Sequence, residues 1–234
     1  MIENKEFLEL KRWLEDTADE RCEDMGAFFD RRISSYEDHM SPWSEHYVRV
    51  AELLPESAET LLDLGCGTGL ELDRIFERMP DLRVTAIDLS ESMTAELIKK
   101  HGSRNLEVIL DDYFLFDLGE NRFDAAVSVE SLHHFTAEKK AGLFAKIYRA
   151  LKPGGIYIEC DYIASIPEIE ELTFKECRRR RERDGIPDDR YIHFDTPLTL
   201  EHELSAMRSG GFDEAALVEQ INGTPIIVAK KRGV

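Results

Sequence analysis

Basic residues are in short supply in this sequence: 30 lysines and arginines stand against 48 aspartates and glutamates, for a net charge of -18 over 234 residues. Such a balance repels a phosphate backbone, so general nucleic-acid binding is not expected. The single basic run, "RRRRER" from Arg178 to Arg183, reads as a solvated helix face, with a small anion as its other use. Cysteine is sparse as well. Cys22, Cys66, Cys160 and Cys177 form neither a C-x-x-C pair nor a close cluster, so neither a zinc site nor a disulfide framework is indicated, which fits reduced thiols in a cytoplasmic protein. No apolar run approaches membrane-spanning length and the N-terminus is charged from Glu3 onward, so neither a membrane segment nor a secretion signal is expected. Internal repeats, low-complexity tracts and a convincing linker are lacking too. What is present is globular: 42% hydrophobic residues in a chain of this length suffice for a sizeable core.

The first fifty residues carry apolar positions at helical spacing, Phe7, Leu10 and Leu14, then Met25, Phe28, Phe29 and Ile33. "SSYEDHMSPW" reads as a break, with a turn at Ser41-Pro42, before "SEHYVRVAELL" resumes a helix that Pro55 ends. From Thr60 short apolar runs alternate with amphipathic helices: "TLLDL", "RVTAIDL", "LEVIL", "FDAAVSV" and "GGIYIECDY" as strands, "LELDRIFERM" and "SESMTAELIKKH" as helices, with Ser90 as an N-cap. The helix in "TAEKKAGLFAKIYRALKPGG" puts Leu143, Phe144, Ile147 and Leu151 on one face and is expected to stop at Pro153 and the glycines. Strands separated by helices imply right-handed crossovers and a parallel sheet covered on both faces, a doubly wound α/β fold. "AALVEQINGTPIIVAKK" breaks the rhythm, because Asn222-Gly223 supports a type I′ turn and hence an antiparallel C-terminal hairpin.

"DLGCGTG" sits between the first strand and its helix, where the backbone of an open α/β sheet meets its ligand. A dinucleotide fingerprint needs a third glycine where Leu70 stands, and a phosphate loop needs the missing G-K-[ST]. Asp63, ahead of the glycines, is a poor neighbour for a pyrophosphate and a good one for a cation. Asp88, closing the next strand, is placed to accept from both hydroxyls of a ribose. An adenosine bearing a positive group satisfies both acids.

Here the sequence resembles the class I S-adenosylmethionine-dependent methyltransferases. "LLDLGCGTG", "AIDLSESM", "LDDYF", "FDAAVSVESLHHF" and "LKPGG" occur in the family's order, and the match is strong from Val50 to Tyr162. The resemblance implies a Rossmann-like fold with a mostly parallel seven-stranded sheet and S-adenosyl-L-methionine as cofactor. It places Asp63 and the backbone of Gly65, Cys66 and Gly67 beside the methionine portion, Asp88 on the ribose, and Leu89, Met93, Asp112 and Tyr113 around the adenine. The backbone from Val129 to Ser131 falls near the sulfonium, and Tyr36 is the aromatic expected to cover the cofactor. Residues 1–50 are expected as a helical cap, 51–234 as the cofactor-binding domain, and 165–197 as an insertion near the acceptor site.

Methyl transfer is an in-line displacement in which the protein aligns the nucleophile and excludes water. Where a proton must leave, "ESLHHF" offers Glu130, His133 and His134 as base candidates. The histidine pair has no third ligand at recognisable spacing, so no metal is expected. Tyr162, Arg180, Tyr191 and His193 are the candidate substrate contacts. An N/D-P-P-Y/F motif is absent, which removes the adenine-N6 and amide subclass. A small-molecule acceptor is the expected partner, with room for a homodimer. The competing readings are a non-catalytic cofactor binder, an enzyme that modifies the cofactor methyl, and a nicotinamide oxidoreductase, which Leu70 disfavours.

Overall fold

The computed structural model describes residues 4–233. Three helices come first: α1 (Lys5–Asp16), α2 (Met25–Met40) and α3 (Ser44–Leu53). Then follow β1 (Thr60–Leu64), α4 (Leu70–Arg78), β2 (Arg83–Asp88), α5 (Glu91–His101), β3 (Leu106–Leu110), β4 (Phe123–Val129), α6 (Ala137–Ala150) and β5 (Leu151–Cys160). The chain closes with α7 (Pro167–Asp184), α8 (Leu200–Ser209), β6 (Glu214–Ile221) and β7 (Thr224–Lys230).

The seven strands lie in the order β3-β2-β1-β4-β5-β7-β6, with β1 to β5 parallel and β7 antiparallel to both neighbours. The expected fold is therefore present. Central strands are apolar on both faces because both are covered. Leu61 packs with Val84, Val127 and α3–α4 on one side, while Leu62 packs with Ala126, Tyr157, α6 and α8 on the other. The closing hairpin turns at Asn222 and Gly223, both with positive φ (49° and 95°), as a type I′ turn requires.

Two local expectations need correction. "SSYEDHM" is no break: α2 continues to Met40, and only Ser41–Trp43 forms a short 3₁₀ turn. Docking overrides the weak helix propensity of Ser34, Ser35 and Asp38, because Asp30 of α2 accepts from Ser90 Oγ (2.7 Å) and Ser92 Oγ (2.6 Å) at the start of α5. Likewise α6 ends at Ala150, ahead of Pro153, where Leu151 takes up extended geometry and enters β5.

The segment 165–197 is tied to the N-terminal helices. Glu23 and Asp24 pair antiparallel with His193 and Ile192. Residue 50 lies inside α3, whose Val50 and Ala51 are buried against the sheet.

Candidate active site

The sheet order reverses between β1 and β4, and the loops leaving their carboxyl ends frame a crevice. After β1 the chain turns over Gly65 and Gly67 with φ of 71° and 49°. A Cβ at position 65 would lie 2.0 Å from Ser131 Oγ, and one at 67 would lie 3.3 Å from the Tyr36 hydroxyl. Bare backbone is thus required from two sides. Gly69 serves packing instead: a Cβ there would meet Leu97 of α5 at 2.4 Å.

Asp63 is fully buried beneath this turn, and Glu71, in the first turn of α4, is buried with it. With both acids ionised, neither Asp63 oxygen has a hydrogen-bond donor, and among the described residues no lysine or arginine pairs with either acid. Burial, then the charge of Glu71, drives the Asp63 carboxyl well above the carboxylate range, and burial raises Glu71 to about 7. Both shifts favour the protonated forms, whereas a positive group placed beside the pair would favour its charged form.

Asp88 is fixed by backbone on both sides. Its Oδ2 accepts from Gly67 N at 2.9 Å and its Oδ1 from Ser90 N at 2.8 Å, which leaves lone pairs on both oxygens for a diol. Gly65, Gly67, Asp88, Leu89, Met93 and Tyr113 line one cavity, closed from the α2 side by Met25, Gly26, Phe29 and Tyr36.

A second cavity adjoins the first through Phe29, Tyr36, Glu130 and His134, which line both. Its other walls include Phe28, Arg32, Trp43, His133, Tyr162, His193 and Asp195. Glu130 stands at the junction with φ of 48°, a conformation that side chains rarely adopt. Trp43 Nε1 donates to its Oε1 at 2.8 Å, and the side chain is only 10% exposed. Burial, then the Asp161 charge, raises its pKa to about 8, a value suited to proton exchange near neutrality.

His133 is held by Asp161, whose Oδ1 lies 2.5 Å from Nδ1. Burial opposes a charge on this ring, but Asp161 outweighs it and raises the pKa to about 9. Burial, then the His133 charge, holds His134 below the ordinary histidine value.

Most of the sequence-derived residues converge on these cavities. Cys66 and Val129 are buried in the core flanking the glycine turn. Asp112 lies to the side, where its oxygens accept from Phe114 N (2.8 Å) and the Tyr191 hydroxyl (2.7 Å). Tyr191 and Arg180, expected as substrate contacts, line neither cavity. Tyr191 is held by Asp112 and packs against Phe114, Phe135 and Lys139. Arg180 is buried between Trp13 and Phe194 and bonds to Glu176 and Thr17, tying α7 to α1. Sequence reasoning missed Phe28, Arg32, Trp43 and Asp195. Only the aromatic spacing of "AFF" and "SPW" hinted at the first and third, because all four are brought in by tertiary contacts.

A family profile described as a methyltransferase domain matches residues 61–155. A sterol 24-C-methyltransferase of Gibberella zeae is 26% identical over 194 residues, covering 80% of this chain and 46% of that protein. A malonyl-[acyl-carrier protein] O-methyltransferase of Marinomonas sp. is 31% identical over 169 residues, covering 70% of this chain and 58% of that one. The chain thus spans about half the length of these curated relatives. Human N-acetylserotonin methyltransferase, solved in complex with S-adenosylmethionine, superposes with a TM-score of 0.62 at 18% identity, covering 85% of this chain and 54% of that one. Strand order, motif order and these similarities agree, and the chain carries a methyltransferase domain of the class I S-adenosylmethionine-dependent family.

Proposed function

We propose that this chain transfers a methyl group from S-adenosylmethionine to a small-molecule acceptor held in the second cavity. The observation that carries the reading is Asp63: a buried acid that no lysine or arginine among the described residues pairs with, under a glycine turn whose next strand ends in a fixed Asp88. These residues fit a cofactor with a cationic amino-acid end and a ribose. Asp63 and the Gly65–Gly67 backbone would hold the methionine portion, Asp88 the ribose hydroxyls, and Leu89, Met93 and Tyr113 the adenine, with Asp112 behind them. When bound, this cofactor supplies a methyl group activated by positive sulfur.

The chain's own residues then have three tasks. Tyr36 and Phe29 lie where the two cavities meet and exclude water there. Phe28, Trp43 and Tyr162 give the acceptor an apolar wall, while Arg32, His193 and Asp195 provide polar contacts. Glu130 takes the proton of the acceptor, held in place by Trp43. In this reading residues 1–50 act as the cap and 165–197 as part of the acceptor wall. No described helix is long and apolar enough to cross a membrane, and the free cysteines fit a cytoplasmic setting.

The test is a screen of oxygen, nitrogen and carbon nucleophiles with cofactor labelled in its methyl group. Label is expected in at least one small acceptor, with Glu130→Gln lowering kcat while cofactor affinity holds. Tight cofactor binding with no label transferred across the screen would favour a binding protein instead.

A further inference from the structure

The loop after α7 brings Asp195 back to the histidine pair of "ESLHHF". A backbone bond from Thr196 N to His133 O, 2.8 Å long, fixes it there. Asp195 Oδ1 lies 3.6 Å from His133 Nε2 and 3.3 Å from His134 Nδ1, and the three donor atoms are all within 4.8 Å of one another. We propose that His133, His134 and Asp195 form a site for one divalent transition-metal ion in the wall of the acceptor cavity.

The spacing fits such an ion. Bonds of about 2.1 Å at tetrahedral angles separate neighbouring donor atoms by about 3.4 Å. The site also has an outer layer. Asp161 accepts from Leu132 N (2.6 Å) and Tyr162 N (2.8 Å) and faces His133 Nδ1, so His133 turns its other nitrogen, Nε2, to Asp195. A buried carboxylate that orients a histidine through its second nitrogen is the usual support of a metal-binding imidazole. Asp161 and Glu130 also come within reach of His133, but through Nδ1, which Asp161 already engages.

His134 supplies the independent observation. Its side chain is 3% exposed, and its buried Nδ1 makes no hydrogen bond although it faces a carboxylate. A ring nitrogen left in this way loses about 1–3 kcal/mol unless something satisfies it. Around the pair stand Glu130, Asp161 and Asp195, and among the described residues no lysine or arginine forms an ion pair with any of them. Two imidazoles and one carboxylate, with further positions open to a cavity, suit zinc, iron(II), cobalt or manganese rather than calcium.

The use of the site rests on the methyl-transfer reading. An ion there would bind acceptors through an oxygen, favouring hydroxyl and carboxyl compounds over amines and carbon acids.

The experiment strips the full chain with a chelator and titrates it separately with Zn²⁺, Mn²⁺ and Co²⁺ by calorimetry, with visible absorption for Co²⁺. One equivalent per chain is expected for at least one ion. Asp195→Asn, a change at an exposed residue, and His134→Ala are expected to weaken it at least a hundredfold, and His202→Ala, an exposed histidine elsewhere, to leave it unchanged. Failure of the wild-type chain to bind any of the three ions, or equal binding by Asp195→Asn and His134→Ala, overturns the site and leaves a hydrogen-bond network only. Cofactor affinity measured on the same samples keeps the two claims apart. Cofactor binding without metal binding refutes this inference alone, whereas metal binding without cofactor binding refutes the methyl-transfer reading and leaves the site standing.

Discussion

Asp63→Asn keeps the shape of a buried side chain and removes its capacity for charge. In the free protein burial, then the charge of Glu71, shifts the Asp63 carboxyl well above the usual carboxylate range, toward its protonated form. A cation arriving over the glycine turn favours the charged form, so cofactor binding at pH 7.5 is expected to release protons to the buffer. The amide replacement still donates to Glu71, and stability should change by less than about 1 kcal/mol because one buried hydrogen bond replaces another. Cofactor affinity has no such substitute. A hydrogen bond to a charged group contributes about 1.5–3 kcal/mol, so binding should weaken by roughly ten- to a hundredfold. Calorimetry in buffers of different ionisation heat reads both quantities, and the variant should bind without proton release. Wild-type binding with no proton release, or a variant within threefold of wild type, would refute this account of the turn.

Other changes probe separate parts of the molecule. Glu71 has a folded pKa raised from 4.5 to about 7, so its contribution to stability is complete below 4.5 and lost as pH rises through about 7. At 1.36 kcal/mol per unit, ligand-free protein should lose about 3 kcal/mol over that window in urea titrations, and Glu71→Gln should flatten the profile. Asp88→Ala strands the Gly67 and Ser90 amides as well as the diol site, and a loss of cofactor affinity below about thirtyfold would speak against the assigned role. Gly67→Ala places a Cβ 3.3 Å from the Tyr36 hydroxyl at positive φ, costing about 1–2 kcal/mol in backbone strain, visible as a lowered Tm together with weaker cofactor binding. Lys140 is fully buried between Glu203 at 2.6 Å and Glu159 at 3.9 Å, so Lys140→Met should cost about 3–5 kcal/mol in denaturant unfolding, much of it restored by adding Glu203→Leu.

What could be read from the chain was what local pattern encodes. Strands buried on both faces appear as continuous apolar runs, Ser90 caps α5 by accepting from Met93 N, and Asn222-Gly223 has a single favoured turn. Asp63, the Gly65–Gly67 turn and Asp88 were legible because they belong to adjoining parallel strands. Properties settled by distant contacts were not. Arg180 stands in a run of arginines that reads as solvated, yet its guanidinium is buried against α1. The same holds for Tyr191, drawn to Asp112, and for Asp195, which reaches the histidines only because Thr196 is bonded to His133. Spacing carries no trace of such pairings, and of these three residues only Asp195 reaches the wall of the second cavity.

The most direct test is a calorimetric titration of the wild-type chain with S-adenosylmethionine, its demethylated product and NADH. Saturable one-to-one binding of the first two, lost together in Asp88→Ala, with no heat from NADH, is the expected result. Tight binding of NADH, or none of either adenosyl compound, would contradict the cationic-adenosine site.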